Sequence, residues 1–173
     1  LVLGKDTFAA NSELNIWRDE TTSTGGRTDT FSVQLGTGSA DARYYGSTGL
    51  LNDNNWHFVV MTYVGGSSTG LRGYVDGVED TAHSPVSTTS VPALRSTTNP
   101  VYIGRSQDGS PYFTGDIDEV RISSIARTAT WISTEYNNQN SPNTFYSVGL
   151  PSTSPFTYDF VLKVKNNQVA DTW

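Results

Sequence analysis

The sequence predicts an all-β sandwich built from two antiparallel sheets, and three observations lead to it. Apolar and polar residues alternate with period two in short runs separated by turn signals. Charged residues make up 16% of the chain and aromatic residues 12%, alongside 16 glycines. That composition is not the one of a disordered chain. A single stretch has the spacing and capping residues of a helix.

In chain order, Leu14 and Ile16 alternate with Asn15 and Trp17, and Phe31, Val33 and Leu35 alternate with Ser32 and Gln34. The strongest run, Trp56-His57-Phe58-Val59-Val60-Met61-Thr62-Tyr63, is apolar on both faces and reads as a central strand covered on both sides. Glycines and serines from Gly65 to Gly70 turn the chain into Leu71-Arg72-Gly73-Tyr74-Val75. Asp76-Gly77 follows, a two-residue hairpin signal, because both central positions of a type I′ turn need positive φ. The stretch from Thr81 to Pro100, rich in Ser, Thr and Pro, reads as a long loop or ragged edge. Val101–Ile103 and Ile117–Ile122 read as further strands. A short helix is expected near residues 129–138, capped by Thr128 or Thr130 and ended by Asn137 to Pro142. Trp131, Ile132 and Tyr136 would form its packed face. A linker of Pro, Ser and Thr runs from Leu150 to Pro155. Beyond it Phe156, Tyr158, Phe160, Leu162 and Val164 alternate with Thr157, Asp159, Lys163 and Lys165. Ten such residues would span about 33 Å as a strand. There is no internal repeat.

A length of 173 residues suits one domain, with room for a short appendage. A net charge of -6 argues against a nucleic-acid backbone or an anionic membrane as partner. The absence of cysteine excludes a disulfide scaffold, a thiolate nucleophile and a Cys-based zinc site. No apolar run approaches the roughly 20 residues of a membrane-spanning helix, so membrane insertion is not expected. The start at Leu1 reads as processed or truncated. A low-charge surface of hydroxyls and amides is common on secreted proteins, and the expected location is extracellular or at the cell surface.

Four segments carry a resemblance. They are Asn55 to Tyr63, Gly73-Tyr74-Val75-Asp76-Gly77-Val78, Val101-Tyr102-Ile103-Gly104-Arg105, and Phe113-Thr114-Gly115-Asp116-Ile117-Asp118-Glu119-Val120-Arg121-Ile122. Their order and spacing are similar to the laminin-G-like, concanavalin-A-like jelly-roll family of microbial surface or secreted proteins. The stretch from Arg127 to Gln139 resembles a tail found in large members of that kind. The resemblance covers residues 1–149 and implies a jelly-roll β-sandwich, leaving 150–173 as linker plus C-terminal strand. Domains of the family usually begin well upstream of the strand that Leu1 to Lys5 resembles, and their opening strands pair with the strand containing Asp118. Three explanations stay open. The sequence starts late, or the C-terminal strand fills that slot within one chain, or it does so between chains by strand exchange.

Asp116, Asp118 and Glu119 form the densest carboxylate cluster. In a strand Asp118 would share a face with Val120 and Ile122, where a carboxylate is costly unless hydrogen-bonded, paired or bound to a metal. The resemblance implies a structural calcium here, with Asp118 and Asp116 as ligands, and calcium is the one cofactor expected. A retaining glycosidase needs two carboxyls about 5 Å apart across a cleft. Asp116 and Asp118 share a face, but Glu119 points the other way and the third acid of the family's hydrolase motif is lacking. No catalytic residue is assigned. Gly66-Ser67-Ser68-Thr69-Gly70 spells G-x-S-x-G, yet it lies between two strands rather than on a strand-to-helix elbow. His57 and His83 are read as packed or solvated, and Gly36-Thr37-Gly38 as a turn. Tyr44, Tyr45, Tyr102, Tyr112 and Trp17 have polar or turn-forming neighbours and are the candidates for stacking on a glycan.

The expected function is therefore non-catalytic: an extracellular structural or adhesive subunit that self-assembles into a filament or surface layer by strand exchange. Phe156, Tyr158, Phe160, Leu162 and Val164 are its assembly residues. The alternative is a carbohydrate-binding module of a larger secreted protein. The expected partners are further copies of the chain, or glycans, and neither nucleic acid nor a membrane.

Overall fold

The computed structural model describes residues 2–5, 13–19, 30–36, 41–46, 51–66, 70–81, 84–85, 96–109 and 112–145. They contain β1 (Leu3–Lys5), β2 (Leu14–Asp19), β3 (Thr30–Gly36), β4 (Asp41–Tyr45), β5 (Val59–Tyr63), β6 (Leu71–Val75), β7 (Val78–Glu79), β8 (Ser84–Pro85), β9 (Val101–Ile103), α1 (Ala129–Asn140) and α2 (Pro142–Phe145). All ladders are antiparallel. One sheet has the order β8-β4-β3-β2-β1-β9 and the other β5-β6-β7. The result is the expected sandwich of two antiparallel sheets, with α1 the one helix longer than a single turn among the described residues.

The core follows from period two. Phe31, Val33 and Leu35 point to one side of β3 and are buried with Tyr44. Leu14 and Ile16 join them from β2, and Val59, Met61, Tyr63 and Leu71 close the space from the facing sheet. Burying each such side chain contributes about 1.5–3 kcal/mol. Tyr44 crosses the gap between the sheets and meets Gly73 of β6, where an added Cβ would lie 2.4 Å from the tyrosine Cζ.

The β6–β7 turn is the expected one: Asp76 has φ 50° and Gly77 φ 78°. Thr128 caps α1, its hydroxyl accepting the Trp131 N–H at 3.2 Å. The helix runs slightly past its expected end and stops at Ser141, before Pro142. Ile132 is fully buried, and the Tyr136 ring packs against Phe58 with centroids 6.1 Å apart. Tyr136 also lies on the hairpin turn, within 2.9 Å of where a Gly77 Cβ would stand.

Three expectations are corrected. The strand expected from Trp56 begins only at Val59, and among the described residues it is laddered to β6. Residues 56–58 are diverted because the Asp76 carboxylate takes the Phe58 N–H at 2.9 Å and the Asp76 N–H bonds the Phe58 carbonyl. The segment Ile117–Ile122 forms no ladder, and Val120 and Ile122 are exposed rather than core-facing. Trp131 does not join the packed helix face; it is exposed, with the Arg127 guanidinium 4.8 Å from its ring centroid. The terminal strand Phe156–Lys165, His83 and the centre of the Gly66–Gly70 turn lie outside the described residues.

Candidate functional site

Ladder register places two rows of side chains on the face of the larger sheet that points away from the core. One row runs Arg43, Gln34, Asn15, Gly4 and Tyr102 across β4, β3, β2, β1 and β9. The next runs Tyr45, Ser32 and Trp17. The Trp17 and Tyr45 rings meet edge to face at 6.3 Å on either side of Ser32. At the far end the Arg105 guanidinium sits 4.3 Å from the Tyr102 ring centroid. Gly4 contributes no side chain between Asn15 and Tyr102.

Asn15 and Ser32 are fully buried, yet neither amide atom of Asn15 nor the Ser32 hydroxyl has a hydrogen-bond partner. The Thr30 hydroxyl, further along β3 on the same face, has none either. An unsatisfied buried group costs about 1–3 kcal/mol, and atoms closed off from solvent in this way are suited to an internal water. Three expected residues, Trp17, Tyr45 and Tyr102, come together here. Tyr44 does not: it is on the core side, where its hydroxyl donates to the Asp80 carbonyl at 3.5 Å. Its neighbours in sequence are polar because they line the other face of β4. Tyr112 stands apart, exposed and bridged to Arg105 beyond β9. Asn15, Ser32 and Gln34 were not among the sequence candidates. The signal was there, as uncharged polar residues at matching positions of adjacent strands, but period two alone assigns them to solvent.

A second area is open on the core side. Register aligns Ile103 with Leu3 and Ile16, and Val101 with Lys5 and Leu14, so both β9 residues point to the core face. They are nonetheless 54% and 44% exposed; among the described residues the facing sheet ends at β5. Close by runs the unladdered segment 113–125, which exposes Val120, Ile122 and Ile125. Ile117 rests against Gly104 at the end of β9, 3.8 Å from where a Cβ would be. Arg121 bonds Glu119 at 2.7 Å and also pairs with Glu135 of α1. Asp116 and Asp118 are exposed, and Asp118 Oδ1 accepts the Glu119 N–H at 2.8 Å. The buried carboxylate expected at Asp118 is thus not found. Among the described residues no three His, Asp or Glu side chains gather as a metal cage.

A third cluster was also missed. His57 Nδ1 lies 2.9 Å from Asp76 Oδ2 and Nε2 lies 3.0 Å from Asp53 Oδ1. Asp53 is further bonded by the Asn55 side-chain amide and backbone N–H. These bonds, with that of His57, hold its carboxyl at about 2. Burial pushes the His57 imidazole down, but the bonds to Asp76 and Asp53 outweigh it and the net direction is up from 6.5. The loop so fixed presents Trp56, which is 70% exposed. The i, i+4 spacing of Asp53 and His57 was visible, but the part played by Asp76 needed the hairpin.

No helix among the described residues is long and apolar enough to cross a membrane. No curated protein and no solved structure matches this sequence. The laminin-G-type family model of the concanavalin A-like lectin/glucanases superfamily matches residues 4–133. That match spans both sheets, the unladdered segment and the start of α1. The chain belongs to the laminin-G-like family of the concanavalin A-like lectin/glucanase superfamily.

Proposed function

We propose that this chain is a non-catalytic extracellular structural or adhesive subunit that associates with copies of itself by strand exchange. The observation that carries the reading is the open half of the core face. Val101 and Ile103 point to the core side, yet are 44% and 54% exposed. An exposed apolar strip on the core side of a sheet is a surface that an added strand would cover. A non-catalytic role is favoured because the carboxylates nearest to a hydrolase pair are committed elsewhere: Glu119 to Arg121 and Asp118 to its neighbouring backbone. Light scattering and electron microscopy of the native protein test it. Concentration-dependent oligomers or filaments are expected, and a strict monomer across the accessible concentration range overturns the reading.

A second reading, glycan recognition, is favoured by the half-buried rings of Trp17 and Tyr102 on the sheet face turned away from the core. Rings supply stacking surfaces for pyranose faces. Binding on an oligosaccharide array should be lost in Trp17→Ala and Tyr102→Ala and retained in Tyr44→Phe. Equal binding by all three discards this reading. Calcium at Asp116 and Asp118 is a separate proposal resting on the family resemblance. A thermal melt that rises with calcium and falls with chelator supports it, and an unmoved melt ends it.

A further inference from the structure

We propose that His57 is a pH-operated catch for the loop that presents Trp56. Charged, it ties Asp53 of that loop to Asp76 of the β6–β7 turn; neutral, it keeps Asp76 and releases Asp53. The device rests on a geometry that a single protonation state satisfies. Nδ1 lies 2.9 Å from Asp76 Oδ2, and Nε2 lies 3.0 Å from Asp53 Oδ1. An ionised carboxylate only accepts, so both ring nitrogens must donate, and the imidazolium alone has two N–H groups. Loss of one proton leaves a lone pair facing a carboxylate oxygen, and one of the two contacts has to open.

Which contact opens follows from how each carboxylate is held. Asp76 Oδ1 accepts the Phe58 N–H at 2.9 Å, and the Asp76 N–H donates to the Phe58 carbonyl at 2.8 Å. Its neighbour Gly77 is backed by Tyr136 of α1. Asp53 accepts otherwise, among the described residues, from Asn55 of its own loop, through the backbone N–H at 2.9 Å and the side-chain amide at 2.8 Å. The Asp53 side chain is 41% exposed, so water takes over the oxygen that His57 gives up. The remaining proton therefore stays on Nδ1, and the Asp53 contact breaks. Residues 53–56 lose their tie to the hairpin, and the exposed Trp56 ring goes with them.

The charged groups that face the imidazole are these two carboxylates. Of their neighbours, Arg72 of β6 pairs with Glu79 of β7, Glu135 of α1 pairs with Arg121, and the Asp80 carboxylate lies beside Gly46. Burial lowers the imidazole, but the bonds to Asp76 and Asp53 raise it by more, so the catch opens on the alkaline side of 6.5. At the acid end the bonds from Asn55, and then that from His57, keep Asp53 ionised down to about 2.

Fluorine NMR of the full-length chain labelled with 5-fluorotryptophan tests this. The chain has four tryptophans and two histidines, and Trp56→Phe and His57→Gln identify the two signals. The Trp56 fluorine signal is expected to shift and sharpen with the same midpoint as the His57 ring proton, above 6.5. Sharpening reports a ring freed to move on the nanosecond scale. Asp53→Asn separates release from the mere loss of a nearby charge. Its site is exposed, a thermal melt checks the fold, and Asp53→Ala serves as a second variant. In both variants His57 should still titrate, at a lower midpoint, while the Trp56 transition is lost. A Trp56 signal that ignores the His57 titration in the native chain overturns the catch. So does a Trp56 transition of unchanged size in the Asp53 variants, which reports the neighbouring charge alone.

Discussion

Gly73 and Tyr44 touch across the sandwich so closely that no side chain fits between them: a Cβ on residue 73 would fall 2.4 Å from the Tyr44 Cζ and 2.5 Å from its hydroxyl. The tyrosine is buried in the core and cannot swing aside. Gly73→Ala is therefore expected to destabilise the domain by about 1–3 kcal/mol, the usual cost of overpacking. Chemical denaturation measures it. Adding Tyr44→Leu to Gly73→Ala should recover part of the loss, because residues in contact are not additive.

The bracketed histidine gives the domain a pH limit on the alkaline side. Only the imidazolium donates to Asp53 and Asp76 at once, and its folded-state value is raised above 6.5. A raised group stabilises fully below its unfolded value, and that contribution disappears as the pH climbs through the folded one. The melting temperature should accordingly fall above neutrality, and His57→Gln should flatten that fall. Asp53, lowered from 3.8 to about 2, works in the opposite sense, contributing above 3.8 and losing its contribution as the pH drops toward 2. Asp53→Asn should remove that acid-side dependence. A native profile unchanged by His57→Gln would show that the bracket does not stabilise the fold.

Two helix substitutions separate cap from core. Thr128→Ala removes the hydroxyl that accepts the Trp131 N–H and should cost about 1 kcal/mol. Ile132→Ala empties a fully buried site and should cost about 2–5 kcal/mol. Trp131→Ala, at an exposed ring, should be mild by comparison. Denaturant melts rank the three.

The partnerless amide of Asn15 predicts an unusual gain. Asn15→Leu replaces two unsatisfied buried atoms by apolar ones of similar shape, a change that is nearly neutral or stabilising. The melting temperature should hold or rise. A loss of more than about 1 kcal/mol would show that the amide is satisfied in solution.

Much of this architecture was legible in the residues. Alternation at Leu14–Ile16 and Phe31–Leu35 located the core face, Asp76-Gly77 located the hairpin, and Thr128 with Ile132 located the helix. Each of these is a local signal, settled by side-chain period or by a few backbone angles. What misled was partnership. Ile117–Ile122 alternates as a strand does, but a strand also needs a neighbour, and the described residues supply none. Trp56 to Phe58 are apolar, yet a single carboxylate, Asp76, captures the Phe58 N–H in place of a neighbouring strand. The polar face was missed for a related reason. Tyr44 and Tyr45 look alike in sequence, but one residue of register sends the first into the core and the second to the opposite face.

The pairing of β1 with β9 also sets a timetable for folding. Leu3 is held between Ile16 on one side and Ile103 on the other. The first three strands can therefore assemble as a meander soon after synthesis, but their outer edge stays bare until a segment about a hundred residues later arrives. Contacts of such long sequence separation slow folding, and an unfinished edge is open to capture by other chains in the meantime. That exposure lasts for as long as the roughly hundred residues between β1 and β9 take to be made.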